Sequence, residues 1–128
     1  MLKTIIIELF RDVLASPVVD TAAVAKYVSP SYIQTVDGVT LNYDGFIAHM
    51  RKQKEVIASL SVEFLAMVAE GDILFTNHVV TVQKKDSSVI QIKVIAQFVF
   101  EDNRLIRCDE LTRLLSGNHE DRDIGSRH

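Results

Sequence analysis

A chain of 128 residues with net charge −3, 48% apolar residues and a single cysteine has the size and apolar content of one hydrophobic core. Its mild acidity offers no basic patch for nucleic acid, and no apolar run approaches the roughly 18 residues of a membrane span. One thiol excludes an intramolecular disulfide or a cysteine-rich zinc site. The first apolar run ends at Glu8 with no small-residue cleavage site after it, so no signal peptide is expected and the expected setting is cytoplasmic and reduced.

In chain order, Ile6, Leu9, Phe10, Val13 and Leu14 recur at helical spacing over residues 3–15, and Ser16-Pro17 closes that segment. Asp20 is placed to N-cap a short helix reaching Tyr27. Ser29-Pro30 stops it, because the residue before a proline disfavours the helical region. Asp37-Gly38 between the β-prone runs 32–36 and 39–41 is a two-residue hairpin signal. Asn42 or Asp44 then caps a third helix over residues 44–58, with Phe46, Ile47, Met50, Gln53 and Ile57 as its apolar stripe. His49 lies at the edge of that stripe and is expected to be half-exposed. Four β runs follow at 62–68, 73–83, 89–100 and 104–114. Polar turns join them, the last at Asp102-Asn103, where asparagine tolerates left-handed backbone. The expected fold is α+β, with three N-terminal helices packed on one face of a strongly curved, mainly antiparallel sheet. It forms one domain, residues 1–115. The polar tail 116–128 is expected either to lie on the surface or to embrace a partner.

Strand side chains alternate between faces. One face collects Val62, Phe64, Ala66 and Val68, then Leu74, Thr76, His78, Val80 and Val82. Alternate residues from Ile90 to Phe100 join it, as do Ile106, Cys108, Glu110, Thr112 and Leu114. An apolar concavity with a few polar groups is the usual form of a small-ligand site. Glu110 must find a partner there or keep its proton, since burying an unpaired carboxylate costs several kcal/mol. His78, which titrates near neutrality, is its expected partner. The pair has three possible roles: proton transfer, ligand hydrogen bonding without turnover, or a structural bond between neighbouring strand regions. Tyr32 either presents its hydroxyl to the pocket or closes the core. Met50, Phe98 and Cys108 line the pocket, Cys108 as a small buried hydrophobe. Asp109 faces away from His78 and Glu110, so no metal site is expected. The opposite face mixes Leu65, Met67, Phe75, Val79, Ile95 and Val99 with polar residues. It is less polar than a face meant only for water, and homodimerisation through it is expected.

Residues 27–34 (Tyr27-Val28-Ser29-Pro30-Ser31-Tyr32-Ile33-Gln34), Asp37-Gly38, Tyr43-Asp44-Gly45-Phe46, Glu70-Gly71-Asp72 and residues 98–106 occur in this order. In them the chain resembles, over nearly its whole length, the SnoaL-like branch of the nuclear transport factor 2-like superfamily. The resemblance implies a cone-shaped α+β barrel. That fold hosts isomerases, dehydratases, epoxide hydrolases, polyketide cyclases, association domains and non-catalytic binders, so it does not settle activity. It also implies a cavity-facing carboxylate on the last long strand, at Glu110, and a polar residue midway along the second, at His78. The general base of the steroid isomerases would fall at Thr35 and their acidic oxyanion donor at about Ala96. Neither residue supplies that group, which argues against steroid-isomerase chemistry. The leading expectation is a cofactor-free lyase, isomerase or cyclase acting on a small apolar molecule, with Glu110 transferring the proton. A non-catalytic binder and a dimeric association module are the alternatives.

Overall fold

The second and third helices begin where side chains accept their first amides. The computed structural model describes residues 1–116. Helix α1 (Leu2–Leu9) continues into a π-helical turn, Phe10–Leu14. Asp20 caps α2 (Thr21–Tyr27) by accepting from the amides of Ala22 and Ala23. Of the two possible caps for α3 (Tyr43–Val56), Asn42 is the one used, accepting from the Gly45 amide at 2.9 Å. Tyr27 ties α2 to the π turn, its hydroxyl donating to Asp12 Oδ2 at 2.5 Å. No helix among the described residues is long and apolar enough to cross a membrane.

Six strands form one sheet: β1 (Val28–Val36), β2 (Val39–Asn42), β3 (Ile57–Glu70), β4 (Ile73–Lys84), β5 (Val89–Glu101) and β6 (Arg104–Ser116). Their order is β2-β1-β6-β5-β4-β3. All neighbours are antiparallel except β1 and β6, which run parallel. The sheet does not close: β2 and β3 remain its edges. Strand β1 begins at Val28, several residues before the expected run, and exposes Pro30 where its ladder with β6 is irregular. A residue without an amide hydrogen is tolerated at such a place. Asp37 and Gly38 have φ of 50° and 84°, and Asp102 and Asn103 have 51° and 63°. Both two-residue turns thus take the left-handed conformations that tight hairpins require.

Two of the sheet's register shifts move expected core residues off the inner face. On β3, Phe64 pairs with His78 but Ala66 with Asn77, leaving Leu65 extra. Met67 therefore packs toward the core, and Val68, expected inside, is 68% exposed. On β6, Arg107 pairs with Val99 but Leu105 with Phe100. Leu105 rather than Ile106 is then the buried residue. An extra residue advances a strand by one and exchanges its faces. Ser116, placed in the tail by the sequence, ends β6; the rest of the expected tail lies outside the described residues.

Candidate functional site

The inner face of the sheet, the π turn and α3 enclose a cavity of about 140 Å³. Tyr32, Met50, Phe98, Cys108, His78 and Glu110 all line it, so the structure gathers every residue the sequence singled out. Met50, Phe98 and Cys108 are 1–2% exposed. Tyr32 is equally buried and stacks edge-on against Phe46 with ring centroids 5.0 Å apart. Its hydroxyl donates to Gln34 Oε1 at 3.0 Å, so it both closes the core and carries a polar atom into it. Burial pushes the phenol well above its ordinary pKa.

The structure does not bring Glu110 and His78 together. Glu110 pairs in the ladder with Ala96, and Ala96 with Thr76. Strand β5 therefore separates the backbones of Glu110 and His78 by two strand spacings, roughly 10 Å. Each takes a nearer partner from its own strand. The Cys108 thiol donates to Glu110 Oε1 at 3.2 Å. On β4, Nδ1 of His78 and Oγ1 of Thr76 lie 2.8 Å apart. The direct pair expected from the sequence is replaced by two bonds between residues i and i+2, whose side chains share a face by strand geometry.

Burial dominates the electrostatics of both groups. Glu110 is partly buried, and desolvation pushes its carboxyl pKa up, with Asp37 and Asp109 adding to the rise and the thiol bond opposing it. His78 is 1% exposed and its pKa is lowered to about 4, first by desolvation and then by the charge of Lys93. Phe10 and Phe64 each stand 5.3 Å from its ring, centroid to centroid. The Cys108 thiol is pushed well above its ordinary pKa, by burial and then by Glu110, so it remains an S–H donor.

Further polar residues that the sequence did not assign to the cavity also line it, among them Gln34, His49, Gln53 and Lys54. Gln34 is 6% exposed and shares strand parity with Tyr32 and Val36, so alternation on β1 would have found it. His49 is 3% exposed, not half-exposed. Phe46, His49, Met50 and Gln53 form an i, i+3, i+4, i+7 stripe, and His49 belongs to it despite its polarity. Half-buried Lys54 donates from Nζ to the carbonyls of Val13 at 2.9 Å and Leu14 at 3.1 Å, and also to Ser16. It thereby satisfies carbonyls that the end of the π turn leaves open. Thr35 turns out of the cavity to bond Thr40, Oγ1 to Oγ1 at 2.9 Å. Among the described residues no cluster of three His, Cys, Asp or Glu side chains could hold a metal ion.

The Asp37-Gly38 turn also braces β6 just beyond Glu110. The Asp37 amide donates to the Glu110 carbonyl at 3.0 Å. Its carboxylate accepts from the Thr112 amide at 2.8 Å and from the Thr112 hydroxyl.

No family model matches the chain. It is 33% identical over 107 residues to an uncharacterised protein of Schizosaccharomyces pombe, a match covering 84% of this chain and 82% of that one. Among solved structures it is similar to IdmH, a candidate polyketide cyclase from Streptomyces antibioticus, with a TM-score of 0.74 and 11% identity over 88% of this chain and 91% of that one. A candidate SnoaL-like polyketide cyclase from a Jannaschia species aligns with a TM-score of 0.69 and 14% identity, over 87% and 84% of the two chains. At such identities the likeness is one of fold.

Proposed function

This chain belongs to one family with the fission-yeast protein and shares the fold of SnoaL-like, nuclear transport factor 2-like proteins, and on that premise we propose that it is a small-molecule pocket protein in which Glu110 transfers a proton on a neutral, apolar substrate without a cofactor. The observation that carries this reading is a carboxyl of raised pKa inside a largely apolar cavity. Such a carboxyl holds its proton closer to neutral pH and, once deprotonated, is a stronger base than an ordinary glutamate. Lyase, isomerase and cyclase chemistry beside a carbonyl all need such a group. His78, with a pKa near 4, stays neutral at physiological pH, and the ammonium of Lys54 is already held by carbonyls. With no free cation from either, the cavity favours an uncharged ligand over an anion. A volume near 140 Å³ is close to the roughly 150 Å³ of an apolar cavity that admits one benzene-sized ring.

Cyclohexanone in D2O tests this reading. The protein should speed deuterium uptake at the carbons beside the carbonyl, as read by mass spectrometry. Glu110→Gln should lower that rate by about 10²-fold or more while the melting temperature holds. Unchanged uptake in the variant would sink the proton-transfer role. Shifts of cavity resonances without any uptake would instead support a second reading, a non-catalytic binder. The separation of Glu110 from His78 favours that alternative.

The partner proposed for the outer sheet face is a second copy of the chain. Leu65 and Phe75 are each 50% exposed there, Ile95 47% and Leu111 68%, and Ile95 pairs directly with Leu111. Contiguous exposed apolar side chains of this kind mark interaction surfaces. Ile95→Lys should yield a monomer by sedimentation; an unchanged sedimentation coefficient would remove the proposal. The single buried thiol accords with a reducing, cytoplasmic setting.

A further inference from the structure

We propose that Cys108 is the positioning residue for Glu110, donating its S–H to Oε1 so that Oε2 is the oxygen presented to a ligand. This inference rests on Glu110 being the working group of the site. The two side chains stand two residues apart on the inner face of β6, with Sγ 3.2 Å from Oε1. Cys108 is 2% exposed and pairs in the ladder with Phe98 on β5 and Gln34 on β1, so packing leaves its rotamer little freedom. Its thiol stays protonated because burial and the adjacent carboxyl both oppose the thiolate. The donor is therefore permanent, while the acceptor is the group that changes protonation.

The choice of sulfur has a chemical consequence. A thiol is a weak donor, whereas a hydroxyl bonded to a carboxylate makes a shorter and stronger bond. Cys108 therefore aims the carboxyl while lowering its pKa less than a serine hydroxyl would. The other groups acting on Glu110 push the same way as burial: Asp37 from the hairpin turn and Asp109 from β6. The thiol is the one neighbour that favours the charged form, and it does so weakly enough to leave the net shift upward.

The test is the titration of Glu110 itself, read from its side-chain carboxyl carbon by NMR in the full-length protein. Wild type, Cys108→Ala and Cys108→Ser are compared, each checked for folding by circular dichroism. The expected order of Glu110 pKa is Cys108→Ala highest, wild type next and Cys108→Ser lowest. In the cyclohexanone exchange, the inflection of rate against pH should move in the same order. Superimposed titrations, or any other order, would overturn the proposal, since a cysteine that merely fills space would not order them. If Cys108→Ala does not fold, Cys108→Val, which has no donor and does not vacate the site, takes its place with the same expected direction. An ordered titration without exchange upholds the positioning role and removes the proton-transfer reading. Exchange with superimposed titrations does the reverse.

Discussion

The β6 and β4 walls of the cavity each carry a titratable group, and burial shifts the pKa values of the two in opposite directions. Desolvation is the first cause in both. It pushes Glu110 toward keeping a proton and His78 toward losing one, because the charged form is the deprotonated carboxyl but the protonated imidazole. The surroundings differ as well. Glu110 is partly buried in a strip with Cys108, Gln34 and Tyr32. His78 is packed against two phenylalanine rings that also touch each other, with one ring nitrogen already engaged by Thr76. The same electrostatic cause thus acts on a partly exposed carboxyl on β6 and on an imidazole built into the core on β4.

The largest test of this contrast is Phe98→Ala. Phe98 is 2% exposed on β5, between Leu74 on β4 and Cys108 on β6. If both walls are dry and close-packed, the loss should be about 3–5 kcal/mol by chemical denaturation; a loss under about 1 kcal/mol would mean that this wall already behaves as if it were wet. The pH dependence of stability comes next. His78 has its pKa depressed from 6.5 to about 4, so the unfolded state binds the extra proton between those values. Stability should fall as pH drops through that window, by at most about 3 kcal/mol. Glu110 has the opposite sign: its contribution is present at low pH and is lost as pH rises through its elevated pKa. His78→Gln should flatten the acid limb and Glu110→Gln the loss on the alkaline side. The same limb disappearing from both variants would break the contrast. The smallest effect is expected from Asp37→Ala, which removes two bonds to Thr112 and should cost about 1 kcal/mol. It should also lower the Glu110 pKa by removing a neighbouring negative charge. A Glu110 titration unmoved in that variant would mean that the turn does not act on the carboxyl.

Much of this protein follows from local chemistry that any reader of the chain can see. Asp20 caps a helix and Asp37-Gly38 turns a hairpin because those side chains and that backbone freedom act over two or three residues. Alternation places His78, Cys108 and Glu110 on one face because a strand repeats every two residues. The meander order alone already puts β5 between His78 and Glu110, so their separation was legible once strand order was weighed against side-chain reach. Three features were decided only by tertiary structure. The bulges at Leu65 and Ile106 exchanged Val68 for Met67 and Ile106 for Leu105, since a bulge depends on the partner strand's register. Parallel pairing of β1 with β6 set Gln34 beside Cys108, a contact between positions far apart in the chain. The cavity buried His49 against its polarity, because a helix must present one whole stripe to the core. The sequence by itself determined which side chains turn inward on most strands. Which of them touch, and which proton each one holds, depended on strand order and shared burial, and no stretch of the chain carries these alone.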